Sequence, residues 1–302
     1  MTVSNSPKYF DPRMLARLQS LSLRARHVVE GYVAGLHRSP TRGFSTEFAE
    51  HREYSPGDDL RYVDWKVFGR TDRYYLKQFE DETNLICYLV LDVSESMRYQ
   101  GPDSPWSKLE HATCAAAALA WLVLRQRDAV GLVTFDDQVR EFIRPSSNPS
   151  HLQLLLHTME VAEPQKKTAT GRVLHELADR FQRRGIVLLF SDLFDDIDQL
   201  MVGIKHLRYR RHDVIVMHTL DAAELDFPFR RQTLFRGLEQ LPQVLTDPRA
   251  LRRAYLEQFE KFQQNVASQC RELQVDYVQV RNDAPLDVTL STFLANRMAR
   301  VT

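Results

Sequence analysis

The chain has 302 residues, 43% hydrophobic and 26% charged, which is ample apolar material for a buried core beneath an ordinary surface. Forty basic and forty acidic residues cancel, so net charge gives a nucleic-acid partner no support. The longest strongly apolar runs, 114–124 and 186–190, are too short to span a bilayer, and Met1 to Arg13 holds no apolar stretch of the signal-peptide kind.

Residues 11–36 carry Met14, Leu15, Leu18 and Leu21, then Val28, Val29 and Tyr32, at a spacing that predicts one or two amphipathic helices. Between 38 and 73, Pro40, Gly43, Pro56 and Gly57 punctuate short charged and aromatic pieces, which predicts loops and short strands rather than a separate core. Residues 1–83 are therefore expected to form an N-terminal extension packed on a main domain over 84–302. Cys87, Cys114 and Cys270 are far apart and lack CxxC spacing. They read as reduced, buried thiols of a cytoplasmic protein without membrane insertion.

From residue 84 an alternation sets in. The run LICYLVL at 85–91 is continuously apolar, the mark of a strand covered on both faces. A helix rich in Ala and Leu follows at 108–127, then strands at 129–135 and 139–145 joined through a turn at Asp136 to Gln138. Helices at 149–161 and 171–183, a strand at 185–190, a helix at 197–211 and a strand at 213–220 continue the pattern. Residues 221–246 interrupt it as a surface excursion, before a long helix at 248–273 and a last strand at 275–280. This order predicts an α/β fold with a doubly wound, mostly parallel sheet of Rossmann type. Ligands of such sheets sit at the carboxyl ends of the strands, near the switch point.

That place is taken by Asp92-Val93-Ser94-Glu95-Ser96, directly after the first strand of the alternation. A carboxylate and two hydroxyls at alternate positions can turn three oxygens toward one point, and oxygen-only ligation suits a hard cation such as Mg2+ or Mn2+. By itself the triplet is equally a turn followed by a helix-capping hydroxyl. Thr168-Ala169-Thr170 before one helix, and Ser191-Asp192 after another strand, fall on the same expected sheet edge. Glu95, at an odd position, is expected to point away. Asp136 and Asp137 are explained by a hairpin turn. His175-Glu176 lacks the second His of a zinc-protease helix and reads as helix surface.

With these residues in place, the chain resembles a von Willebrand factor A domain carrying a metal-ion-dependent adhesion site. The resemblance implies a metal site of Asp92, Ser94 and Ser96, then Thr168, with Thr170 as its close rival, then Asp192. Upstream, His51-Arg52-Glu53-Tyr54-Ser55-Pro56-Gly57-Asp58-Asp59-Leu60-Arg61-Tyr62-Val63-Asp64-Trp65, running on to Gly69-Arg70, resembles the signature of the bacterial family called domain of unknown function 58. The stretches at Glu224–Phe229 and Asp283–Asp287 are similar to that family too. The resemblance implies a non-enzymatic, Mg2+-dependent protein-binding module. Its partner is expected to be a MoxR-type AAA+ ATPase offering an Asp or Glu carboxylate to the ion, in a chaperone-like or assembly role. Arg52, Asp58, Asp59, Arg61, Asp64, Trp65 and Arg70 are either a structural clamp of paired charges or a docking surface with Trp65 as anchor. Two alternatives stay open: a metal-assisted phosphoryl-transfer enzyme using Asp92, and a scaffold whose metal site is vacant.

Overall fold

The computed structural model describes residues 46–53, 64–81, 85–164, 166–238, 243–286, 288–290 and 292–293, and the side chains of 46–53, 66 and 76–81 are excepted. The helices expected within 11–36 lie outside the described residues. Two compact units divide the chain, one within Glu30–Asn84 and one within Leu85–Thr302.

In the first unit, strand β1 (Thr46–Glu53) pairs antiparallel with β2 (Tyr75–Asp81), with a bulge between Phe48 and Glu50. Helix α1 (Trp65–Thr71) lies between them in sequence. Buried Asp64 starts this helix: its Oδ1 accepts the Val67 N–H at 3.3 Å, while its own N–H donates to the Tyr75 carbonyl at 2.8 Å. A carboxylate satisfying an orphan N–H of the first turn is the normal role of Asp at a helix start.

The second unit is a six-stranded sheet in the order β10-β7-β6-β3-β4-β5. Its strands are β3 (Ile86–Asp92), β4 (Ala129–Phe135), β5 (Val139–Ser146), β6 (Ile186–Ser191), β7 (Asp213–Leu220) and β10 (Asp276–Arg281). Five run parallel, and β5 turns back antiparallel on β4 as an edge. Pro145 in β5 is tolerated because an edge strand can forgo a ladder donor. The architecture is thus mixed α/β with a mostly parallel sheet, as the alternation predicts. Every residue of β3 is buried.

Helix α2 (Lys108–Arg125) opens with a capping box between Ser107 and Glu110 and buries nearly its whole length, the consequence of its Ala and Leu content. Helix α3 (His151–Glu160) follows β5. Helix α4 (Thr170–Arg180) presents Val173, Leu174, Leu177 and Ala178 to the core. It stops three residues before the predicted end, because Phe181 leaves the helix in an extended conformation and stacks on Tyr88, ring centroids 3.9 Å apart. Helix α5 (Ile197–Tyr209) packs tightly on α4. The approach depends on two glycines: a Cβ at Gly203 would sit 2.6 Å from the Gly171 carbonyl oxygen, and one at Gly171 would sit 2.4 Å from Gln199 backbone.

The excursion at 221–246 is more ordered than expected. It holds helix α6 (Ala222–Asp226) and a hairpin of β8 (Thr233–Phe235) and β9 (Val244–Thr246). Helix α7 (Pro248–Glu272), with Asp247 capping its first turn, leads into β10. All three cysteines are buried thiols. Among the described residues, no helix is long and apolar enough to cross a membrane.

Candidate metal centre

Strands β3 and β6 are neighbours in the middle of the sheet, so the loops leaving their carboxyl ends meet. Asp92 is the last residue of β3, fully buried, and its carboxylate collects three donors. Oδ1 accepts the Ser94 backbone N–H at 2.9 Å; Oδ2 accepts the Ser191 hydroxyl at 2.6 Å and the Thr168 hydroxyl at 3.3 Å. Residues from three separated segments therefore converge on one carboxylate. Burial, and then the charge of Asp192, push the Asp92 carboxyl up to about 7, against the hydrogen bonds from Ser191 and Ser94 that pull it down.

Two hydroxyl pairs flank this carboxylate. Ser94 Oγ and Ser96 Oγ lie 3.0 Å apart, and both residues are buried at the start of a short 3₁₀ turn, Glu95–Arg98. Thr168 Oγ1 and Thr170 Oγ1 also lie 3.0 Å apart. Thr168 touches Asp92 directly; Thr170, fully buried, is the first residue of α4 and reaches the site through Thr168. The two threonines form one connected element. Glu95 is held by its backbone N–H, which donates to the Lys166 carbonyl at 2.9 Å and so ties the Ser loop to the Thr loop.

Asp192 follows β6 and is fully buried. Its Oδ2 accepts from Lys108 Nζ at 2.8 Å, and the same ammonium donates to Glu224 Oε1 at 2.7 Å. Lys108 is itself 1% exposed, at the first position of α2, where a helix dipole disfavours a cation. Burial alone would lower its pKa, but the two carboxylates outweigh burial and raise it, so the ammonium is fixed as a charge. The Phe194 ring lies 4.9 Å away and adds a cation–π contact. On the other side, His218 holds the Asp192 main chain. Burial pushes its pKa down to about 4, so the ring is neutral, and a carbonyl can only accept. Nε2–H therefore donates to the Asp192 carbonyl at 2.9 Å, and Nδ1 accepts from the Tyr277 hydroxyl at 2.6 Å.

The next residue, Leu193, is completely buried with φ of 57°. A leucine in the left-handed region stores on the order of 1–3 kcal/mol, sustained here by its place in the core and by its N–H donating to Ser191 Oγ at 3.0 Å. Ser191 thus binds the two sides of the centre together: it donates to Asp92 and accepts from the loop that carries Asp192.

The five residues expected at the metal site, Asp92, Ser94, Ser96, Thr168 and Asp192, lie at this one edge, Asp92 at the end of β3 and the others on segments outside the strands. Lys108 and His218 were not expected there, and Ser191, expected at this edge, was not expected to take part in the site. In the other unit, Asp64 is buried at the start of α1, while Trp65 (61% exposed) and Arg70 face solvent. Asp58, Asp59 and Arg61 lie outside the described residues, as does the side chain of Arg52. Asp136 does not simply fill a turn: it is buried and its carboxylate takes the Arg140 guanidinium at 2.7 Å.

Over 295 residues the chain is 25% identical to uncharacterized proteins of Mycobacterium tuberculosis and Mycobacterium bovis, covering 95% of this chain and 90% of theirs. Similar solved structures include the following two. An aerotolerance-related membrane protein from Bacteroides fragilis has 17% identity and a TM-score of 0.44, and the conserved hypothetical protein BatB from Bacteroides thetaiotaomicron has 18% and 0.46. Each match covers 72% of this chain and 99% of the other. The model of the protein family of unknown function DUF58 matches residues 50–265, and the chain belongs to that family.

Proposed function

We propose that this chain is a non-enzymatic protein-binding module whose binding depends on a divalent cation held at the edge just described, in the manner of a von Willebrand factor A-like domain with a metal-ion-dependent adhesion site. The observation that carries this reading is the meeting of Asp92, Ser94, Ser96, Thr168 and Asp192 from three loops. A hard cation such as Mg2+ or Mn2+ fits this donor set, since every side-chain donor is oxygen and two are carboxylates. The electrostatics fit as well: Asp92 and Asp192 raise the free energy of each other's charge, and Lys108 already divides its own charge with Glu224. The bound ion supplies a Lewis-acidic position that attracts an external carboxylate.

The protein's own residues do the rest. Ser191 and the Ser94 N–H orient the Asp92 carboxylate, Lys108 and His218 set Asp192, and neutral Ser and Thr donors avoid over-neutralising the charge. The partner class we infer offers an Asp or Glu side chain, and our candidate is a MoxR-type AAA+ ATPase, in a chaperone-like or assembly role. We place this function in the cytoplasm. A pull-down from native lysate, with wild type and Asp92→Ala, each in Mg2+ and in EDTA, tests the reading. Retention of a partner by wild type with Mg2+ alone supports it; equal retention in all four conditions moves the binding surface elsewhere.

A further inference from the structure

Helices α4 and α5 carry a second group of chemistry-bearing residues, away from the Asp92 edge. His175 and Asp179 are four residues apart on α4 and so share a face, and His206 meets them from α5. The two histidine Nδ1 atoms lie 3.1 Å apart, and His206 Nε2 lies 3.6 Å from Asp179 Oδ1. Among the described residues this is the one group of three His, Cys, Asp or Glu side chains whose ligand atoms all come within 4.8 Å of one another. His175 has no second His on its own helix. The second His comes from the neighbouring helix.

We propose that His175, Asp179 and His206 form a surface site for a borderline transition-metal dication, Zn2+ by class, which tethers α4 to α5. Two nitrogens 3.1 Å apart, each about 2.05 Å from one ion, subtend about 100° at it, between octahedral and tetrahedral values. Imidazole nitrogens with a carboxylate select Zn2+, Co2+, Ni2+ or Cu2+ over Mg2+, so this site and the all-oxygen edge take different ions. Asp179 is exposed, and turning its side chain brings it onto the ion; its competing contact, Arg210 at 3.4 Å, is a surface ion pair of small worth. The backbone arrangement is fixed in advance by the Gly171–Gly203 approach, which holds the two helices at the spacing the histidines need. Helix α4 begins at Thr170 and α5 follows the Asp192 loop, so the tether joins the two elements that position these residues.

Titration calorimetry of the full chain with ZnCl2, together with Co2+ absorption, tests the site. One ion per chain is expected, with a Kd in the micromolar range and no displacement by about 5 mM Mg2+. His206→Ala and His175→Ala should each weaken binding at least about tenfold. Asp92→Asn should leave it unchanged, which separates this site from the function proposed above. The Co2+ spectrum should lack thiolate charge-transfer bands, because the three cysteines are buried. Zn2+ affinity unaltered in the His175→Ala/His206→Ala double variant, or no binding at about 100 µM Zn2+, overturns the proposal. Both substitutions are at helix surface positions with helix-favouring Ala, so loss of fold does not confound the result.

Discussion

Lys108 and Asp192 form an ion pair with essentially no solvent access, Nζ to Oδ2 2.8 Å, joining the first turn of α2 to the loop after β6. The same Nζ reaches Glu224 at 2.7 Å, so a single ammonium serves two carboxylates, one on the loop after β6 and one on helix α6. Removing one partner of such a group strands charge in a low-dielectric interior, which typically costs about 3–5 kcal/mol. Lys108→Met keeps most of the side chain's length and removes the ammonium with its two hydrogen bonds. Its unfolding free energy in EDTA is expected to fall by about that amount, read by denaturant titration. Saturating Mg2+ should restore more stability to this variant than to wild type, because a cation near Asp192 substitutes for the missing ammonium.

Ser191→Ala removes the hydroxyl that donates to Asp92 and accepts from Leu193 N–H. Both partners are buried, so about 1–3 kcal/mol of stability is expected to be lost by chemical denaturation. Weaker Mg2+ binding should accompany it, since Asp92 loses the shortest of its three donors.

Asp92 sets a pH dependence of stability. Its native pKa of about 7 exceeds its ordinary value of 3.8. The native state therefore holds a proton that the unfolded chain releases, and this stabilisation, complete below pH 3.8, is lost as pH rises through 7. In EDTA at pH 8, Asp92→Asn should melt at a higher temperature than wild type, with the difference shrinking toward pH 5.

His212 contributes with the opposite sign. The ring is almost wholly buried and accepts the Gly185 N–H at 3.3 Å, and burial pushes its pKa from 6.5 down to about 4. Its stabilisation is present above pH 6.5 and is lost as pH falls toward 4. His212→Asn, which keeps a side-chain acceptor without a titrating ring, should flatten the acid side of the melting-temperature profile between these values.

The sheet was legible because β3, β6 and β7 are mostly apolar, buried over their whole length, and the helices between them carry clear signals. Asp92, Ser94 and Ser96 were legible for a local reason, since three donors sit at alternate positions of one loop. The rule that loops of a parallel sheet gather at its carboxyl edge put Thr168-Ala169-Thr170 and Ser191-Asp192 there, and the resemblance to the A-domain family singled out Thr168 and Asp192 among them. Lys108 was not legible. It reads as an ordinary helix-opening residue, and its partners lie 84 and 116 positions away in sequence. The available signal was a lone Lys at the head of an otherwise apolar helix. His175 and His206 escaped for a similar reason: they are 31 positions apart and meet only through α4–α5 packing.

Gly203→Ala probes that packing. The added Cβ would meet the Gly171 carbonyl at 2.6 Å and the Leu174 Cβ at 2.9 Å, neither of which can swing away. Overpacking of this kind costs about 1–3 kcal/mol, to be read from the urea midpoint.

The central claim, that the edge holding Asp92 binds a hard divalent cation through Ser94 and its neighbours, is tested most directly by Mn2+ titration followed by electron paramagnetic resonance. Free Mn2+ gives a sharp six-line signal that fades on binding. Wild type should take up one Mn2+ that Mg2+ displaces, and folded Ser94→Ala should bind it at least about tenfold more weakly. Equal uptake by both proteins, or none by wild type at about 1 mM Mn2+, would contradict the account.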